Sequence, residues 1–239
     1  MEETRTATTW AQALNELGAI LRLDANQAEL MLDEAARREP HRCRRCGNED
    51  RIYRLSGGRL RCAKCRYSFR AFTGRWLGRH RLPATVWLAA IKCFELGLGA
   101  RELSQVAGLS LPTASELERT VQMALAALDP TWTTVVRAVA CGGNVTRAFK
   151  IRHQGDGIRV EPLPSADDDE VRIDLPPAGQ TADQLRAFRA GIRRWMRLSP
   201  DRLALKLKEW EVRSNRRGSL FELALEALVR YMPEGVADA

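Results

Sequence analysis

Cys43-Arg-Arg-Cys46 and Cys62-Ala-Lys-Cys65 are the stretches that decide how this chain folds around them. Each is a pair of cysteines separated by two residues, and residues 47–61 lie between the pairs. Two thiolates at this spacing can turn inward around one small loop, and two such loops facing each other form the tetrahedral sulfur cage that structural zinc prefers. We therefore predict that the four cysteines hold one zinc ion, the cofactor expected for this chain.

Positive charge is concentrated around the same cysteines. Residues 37–81 contain fifteen Lys or Arg and three acidic residues, which gives this segment +12 in a chain whose total is +8. Charge so localised predicts a polyanionic partner, and double-stranded DNA is the partner expected here. The residues predicted to contact DNA are Arg44, Arg45, Arg59, Arg61, Lys64, Arg66, Arg70, Thr113, Ser115 and Arg119.

Length and composition describe a soluble protein with an ordinary core. The chain has 239 residues, of which 45% are hydrophobic and 28% charged. We see neither an apolar run of about 18 to 20 residues, the length that spans a membrane, nor a secretory signal. Reduced thiols in a cytosol favour metal binding over disulfides. The expectation is a cytoplasmic, nucleoid-associated protein with no membrane partner, and a homo-oligomer stays open.

Hydrophobic periodicity divides the chain into four regions, and the predicted fold class is α+β with several domains. Helices are expected in residues 1–40, because apolar residues recur at helical spacing. A zinc ribbon is expected in residues 41–78, with a hairpin of residues 51–55 and 59–61. Residues 79–128 are predicted to form a helix-turn-helix, and residues 129–239 a small mixed α/β region.

The helix-turn-helix prediction rests on three successive helical patterns. The helices are expected at residues 84–96, at residues 100–107 and from Ser110 onward, and Gly108 supplies the turn before the last one. Directly after a basic ribbon, this pattern indicates DNA binding. Glu116 and Glu118 on the third helix nevertheless oppose phosphate, so the ribbon arginines are expected to supply most of the affinity.

The last region alternates strand-like and helical patterns. Acidic residues 167–170 are interpreted as a solvated loop. Strands are predicted at residues 133–140, 146–152, 157–160 and 171–175, and helices at residues 181–196, 200–213 and 220–231.

Cys43 through Arg119 resembles the front end of the transposases of insertion-sequence family 1595. The matching residues are Cys43-Arg-Arg-Cys46-Gly47, Leu60-Arg-Cys62-Ala-Lys-Cys65, Phe69, Thr73-Gly74, Trp87 and Gly99-Ala-Arg-Glu-Leu103. A shorter resemblance resumes near the C-terminus, at Leu198-Ser199-Pro200, Glu209-Trp-Glu-Val-Arg213 and Asn215-Arg216-Arg217.

The resemblance implies a ribonuclease-H-like domain after the helix-turn-helix, with three acidic or amide residues that hold two metal ions for phosphodiester attack. The first acid is missing, because the strand expected at residues 133–140 runs into Cys141 without a carboxylate. Asp174 and Asp183 are remnant candidates for the second and third positions. They are only nine residues apart, so residues 129–239 are interpreted as a shortened, degenerate remnant without catalytic residues.

Three functions stay open at this point. The first, which the missing acid and the localised charge favour, is a zinc-dependent DNA-binding protein derived from a transposase, acting as a regulator or accessory factor without strand transfer. The second is a compact, active transposase whose three acids converge in space. The third is a protein-interaction scaffold, which would be preferred if the arginines of the ribbon were scattered around it.

Overall fold

The computed structural model describes residues 12, 14–56, 59–154, 157–164, 171–175, 188, 192–215 and 218–236. The chain forms two compact units. The first comprises Met1–Val121 with Phe221–Met232, and the second Gln122–Leu220 with Pro233–Ala239. Helices and two small sheets make this a mixed α/β protein. None of the helices among the described residues combines the length and the apolar composition needed to cross a bilayer.

The first unit begins with the helical segments that the periodicity predicts. Residues 14–21 are helical, and helix α1 spans Ala25–Arg37. Asp24 starts α1 with a reciprocal cap, because its carboxylate accepts from the Gln27 N–H at 2.8 Å and its own N–H donates to the Gln27 side chain. The buried residues of α1 are Ala28, Leu32, Ala35 and Ala36, whereas Met31 is 38% exposed.

The three strands that follow form an antiparallel sheet in the order β1-β2-β3. They are β1 (Ile52–Arg54), β2 (Arg59–Cys62) and β3 (Ser68–Arg70). Along β2, exposed and buried residues alternate strictly. The predicted hairpin is therefore confirmed, and β3 adds a third strand beside β2.

Three helices follow in the chain: α2 (Ala84–Glu95), α3 (Ala100–Ala107) and α4 (Leu111–Ala126), and α4 belongs to the first unit as far as Val121. Their bounds agree with the predicted helices. Gly108 ends α3 with a left-handed backbone, φ 63°, a conformation that glycine adopts without a Cβ penalty. The Ser104 hydroxyl donates to the Leu109 carbonyl at 2.6 Å and ties the turn to α3. Cys93 is buried in α2.

The second unit contains α5 (Thr133–Cys141), a sheet of β4 (Ala148–Gln154), β5 (Gly157–Pro162) and β6 (Arg172–Asp174), and α6 (Pro200–Ser214). The strand order is β5-β4-β6. Strand β4 runs antiparallel to β5 and parallel to β6. Helix α7 (Leu220–Val229) follows, and from Phe221 onward it belongs to the first unit. Most of the predicted helix at residues 181–196 lies outside the described residues, and residues 192–195 are helical.

The strand predicted at residues 133–140 is wrong, because these residues form α5. The β-branched run Thr133-Thr-Val-Val suggested a strand, but its apolar residues have helical spacing: Val135, Val136 and Val139 are buried on one face. Asp129 accepts from the Thr131 N–H at 3.0 Å and starts a 3₁₀ turn that leads directly into α5. Burial on one helical face thus overrides strand propensity.

Candidate metal centre and basic face

The four cysteine sulfurs converge in the first unit. Sγ of Cys43 lies 3.5 Å from Sγ of Cys65, Sγ of Cys46 lies 3.6 Å from Sγ of Cys62, and all four atoms lie within 4.8 Å of one another. Ligands of a tetrahedral zinc at about 2.3 Å are about 3.8 Å apart, whereas disulfide sulfurs are about 2.05 Å apart. Among the described residues this is the one group with metal-binding chemistry, and its donors fit structural zinc.

Two equivalent loops present these sulfurs. In the first, the Gly47 N–H donates to the Cys43 carbonyl at 2.8 Å, and in the second the Arg66 N–H donates to the Cys62 carbonyl at 3.0 Å. Both donors have left-handed backbones, with φ 71° at Gly47 and 59° at Arg66. Arg66 is the one non-glycine residue with positive φ in the described part of the chain. An arginine therefore occupies a position that favours glycine.

Two thiols of this cluster, those of Cys62 and Cys46, have pKa values shifted in opposite directions. The Cys65 N–H favours the Cys62 thiolate and, with the neighbouring thiols, lowers the pKa of Cys62 to about 7 despite its burial. The Asn48 N–H favours the Cys46 thiolate, but burial and hydrogen bonds with the other sulfurs prevail and raise the pKa of Cys46 to about 12. Four thiolates therefore need a cation between them, which is what zinc provides.

The apolar core beside the sulfurs is small. It consists of Leu60 and Phe69 with the buried Cys43 and Cys62. Phe69 is the aromatic residue buried in this core. Tyr67 stacks on Phe69 with a centroid distance of 6.0 Å but is 37% exposed. Because so little apolar surface is buried, a bound zinc would supply much of the stability of the ribbon.

Three of the predicted DNA-contacting arginines lie together on one face of the ribbon sheet. Arg59 and Arg61 alternate along β2 with buried residues, and Arg70 on β3 lies directly opposite Arg59. Tyr53, 55% exposed, and Ser68 flank Arg61 in the same cross-strand row. We call Arg59, Arg61 and Arg70 the basic face.

The remaining predicted contacts occupy other elements. Arg45 lies exposed in the first cysteine loop, and Lys64 and Arg66 lie exposed in the second. Arg44 is half-buried, with its side chain against Gly74. On α4, Thr113, Ser115 and Arg119 are all half-buried, and the Thr113 hydroxyl lies 2.8 Å from the Ser110 hydroxyl at the start of the helix.

Both glutamates that seemed to oppose phosphate on α4 have partners inside the first unit. The Glu118 carboxylate accepts from the Ala100 N–H at 3.1 Å, at the positive end of the α3 dipole. The Glu116 carboxylate lies 4.0 Å from the Arg79 guanidinium. Their charges are therefore partly neutralised, which the sequence alone could not indicate because both partners come from other elements.

One of the fifteen basic residues, Arg75, is unavailable to any ligand because it is fully buried. Its guanidinium donates to the carbonyls of Ala36 at 3.2 Å and Val229 at 2.5 Å, and lies 4.7 Å from the centre of the Tyr231 ring. Burial, together with the charges of Arg75 and Arg54, lowers the pKa of His41. Arg75 is thus a structural residue that ties α1 to α7.

The two remnant acids are not brought into a metal site by the described residues. Asp174 ends β6, where its carboxylate pairs with the Arg172 guanidinium at 3.1 Å. Its register partner on β4 is Lys150. Asp183 lies outside the described residues.

A buried charge cluster in the second unit was not predicted. The Lys208 ammonium lies 2.8 Å from the Asp129 carboxylate and 2.6 Å from the Glu211 carboxylate, above the Trp132 ring. Burial raises the pKa of Asp129, but Lys208 and Thr131 outweigh it and lower the pKa overall. The three-residue spacing of Lys208 and Glu211 on one helix could have indicated their ion pair from the sequence alone. All charges are paired, so the cluster is structural.

Comparison with known families identifies the ribbon. Residues 24–68 match the family model of the transposase zinc-ribbon domain. Over this segment the chain resembles the transposases of insertion-sequence family 1595, and the match includes α1 and all four cysteines. No curated protein and no solved structure matches the chain.

Proposed function

We propose that this chain is a zinc-dependent DNA-binding protein derived from a transposase, acting in the cytoplasm on the nucleoid as a regulator or accessory factor without strand-transfer activity. The observation that carries the proposal is the basic face: Arg59, Arg61 and Arg70 share one surface of a zinc ribbon of the transposase type. Scattered arginines would have favoured a protein-interaction scaffold.

The electrostatic repulsion between neighbouring arginines of the basic face supports a polyanionic ligand. Like charges directly opposite each other in a sheet are destabilising, and Arg59 faces Arg70 in this way. Arg66 adds a strained backbone in the second cysteine loop. Phosphate contacts would relieve the repulsion and would give affinity that falls with salt. Tyr53 beside Arg61 offers an aromatic surface in the same row.

Helices α3 and α4 are proposed to act with the ribbon as a helix-turn-helix. The turn at Gly108 and the partners of Glu116 and Glu118 are compatible with α4 approaching a groove. Thr113, Ser115 and Arg119 are the proposed contacts from α4. In this division, residues 41–78 and 79–128 bind DNA, and residues 1–40 support them.

Residues 129–239 are proposed to be a degenerate remnant of a ribonuclease-H-like domain. A strand antiparallel to one neighbour and parallel to the other, as β4 is, is compatible with that origin. The sequence of β4, Ala148–Gln154, contains no carboxylate, and Lys150 stands opposite Asp174. A lysine there opposes the binding of two divalent cations, which supports a function without strand transfer.

The experiment that tests this proposal compares two triple variants of equal charge. Arg59, Arg61 and Arg70 are replaced by Gln in the first, and the exposed Arg193, Arg194 and Arg202 are replaced by Gln in the second. Binding of a duplex DNA is followed by fluorescence anisotropy. The proposal requires the first variant to bind much more weakly than the second, and equal losses would contradict it.

A further inference from the structure

A pocket of about 190 Å³ lies in the first unit between α1 and the sheet of the zinc ribbon. Its apolar lining comes from Ala36 of α1, Leu60 of β2 and the neighbouring Leu55 and Ala71. Ala36 and Leu60 are buried, so they form the floor of the pocket.

The charged lining of this pocket is mostly cationic. Arg37 comes from the last turn of α1, Arg54 from the end of β1, and Arg59 from the start of β2. Asp33 is the one carboxylate among the lining residues. Within the part of the chain that the structure describes, none of the three guanidinium groups forms a salt bridge. Three arginines and one aspartate thus line a small cavity.

Three arginines from three separate elements repel one another here, and an anion inside the pocket would remove that repulsion. Guanidinium groups match the oxygens of phosphate with paired hydrogen bonds, and their planar forks can converge on one ligand from several sides. Arg59, the first residue of β2, lines the pocket although its side chain lies on the sheet face opposite Leu60, so it connects the pocket with the basic face.

We infer that the pocket formed by Arg37, Arg54 and Arg59 between α1 and the ribbon binds a phosphate group of a nucleic acid strand. The inference rests on the proposed function for the source of the phosphate, because free phosphate has the same chemistry. Asp33 lines the same pocket, so its negative charge should lower the affinity for an anion. Removing a pocket arginine and removing Asp33 should therefore change the affinity in opposite directions.

The first arm of the test titrates the zinc-loaded full chain with inorganic phosphate and follows the backbone amide signals of Leu55, Leu60 and Ala71 by NMR. The wild type should show saturable shifts. An Arg37→Gln/Arg54→Gln variant should bind about tenfold more weakly. The matched control, Arg38→Gln/Arg51→Gln, removes two exposed arginines that do not line the pocket and should stay near the wild type.

Asp33→Asn provides the result that misfolding cannot imitate, because it should bind phosphate several-fold more tightly than the wild type. Equal phosphate affinity in all variants, or shifts that do not saturate, would overturn the inference.

The second arm measures binding of a duplex DNA by the same variants and identifies the source of the phosphate. We expect the pocket variant to lose about tenfold more affinity than the matched control. Equal losses would overturn the inference and leave the proposed function standing. A wild-type chain that binds phosphate in the pocket but no DNA would contradict the proposed function and, with it, the nucleic-acid source.

Discussion

The side-chain amide of Asn215 takes the place of a neighbouring strand for Ile158. Its Oδ1 accepts from the Ile158 N–H at 2.7 Å, and its Nδ2 donates to the Ile158 carbonyl. Two residues along β5, Glu211 accepts from the Val160 N–H at 2.7 Å and the Trp132 indole donates to the Val160 carbonyl at 3.0 Å. Side chains therefore satisfy this edge of the sheet, and no further strand can pair there.

This edge gives the Glu209–Asn215 segment a structural role. From the sequence alone, this segment was interpreted as part of a resemblance to the transposases of insertion-sequence family 1595. In this chain it covers β5 from α6, with Asn215 and Glu211 one helical turn apart. The three-stranded sheet is therefore complete at β5, although it is small.

Asn215→Ala should destabilise the second unit by about 1–3 kcal/mol, because two buried backbone groups of Ile158 lose their partner. Urea unfolding measures this change, and Asn144→Ala, at an exposed position, should change the free energy of unfolding by less than about 0.5 kcal/mol. Gly157→Ala should also destabilise, since an added Cβ would lie 2.6 Å from Asn215 Oδ1. The double variant should cost less than the sum, and strict additivity would contradict the described contact.

His80 should make the first unit less stable in mild acid. Burial lowers the pKa of His80, Glu116 opposes this shift, and Arg79 adds to it. The unfolded chain then binds the proton more tightly, so this stability is present above the unfolded pKa of about 6.5 and is lost as pH falls through it toward the lowered value.

The variant His80→Gln isolates this effect from acid release of zinc, which both proteins share. Its urea midpoint should fall less than that of the wild type between about pH 7.5 and pH 5.5. If the two proteins lose stability in parallel over this range, His80 does not titrate as described.

Two substitutions of Arg66 should distinguish its effect on the stability of the ribbon from its effect on DNA binding. Arg66→Gly removes a side chain from a left-handed backbone position and should stabilise the zinc-loaded ribbon by up to about 1 kcal/mol, while weakening DNA binding through the lost charge. Arg66→Gln keeps the strain and should weaken DNA binding to the same extent without the gain in stability. Thermal unfolding with DNA titrations checks both. Unchanged DNA affinity in both variants would show that Arg66 does not contact DNA.

No cleavage of supercoiled DNA is expected with Mg²⁺ or Mn²⁺, because the strand beside Asp174 contributes Lys150 where two cations would need a second carboxylate. Gel analysis of plasmid forms measures this, with Asp174→Ala as the matched variant. Cleavage by the wild type that disappears in Asp174→Ala would establish the compact, active transposase instead.

Local patterns predicted the ribbon well. The cysteine spacing sets the two loops, and the alternation along β2 places Arg59 and Arg61 opposite buried residues. Features that depend on distant residues were not predictable. Helix α5 looked like a strand because the burial of its valines was unknown, and Arg75 counted as surface charge although carbonyls from three segments enclose it.

Residues 158 and 215 illustrate the same limit. The motif around Asn215 was recognised in the sequence, but its partner on β5 lies 57 positions away in the chain. Side-chain contacts at that separation leave no periodic signal. The role of a motif can thus differ from the role that its resemblance to another family implies, even where the residues themselves match.

Salt-dependent binding of duplex DNA, with and without zinc, tests the central claim most directly. The zinc-loaded chain should bind with an affinity that falls steeply with salt, by about 0.9 in the logarithmic slope for each phosphate contacted. A chelator or Cys62→Ser should abolish most of this binding, because the cage that positions the basic face is lost, while circular dichroism still reports the helices. An affinity indifferent to salt, or unchanged after zinc is removed, would contradict the account.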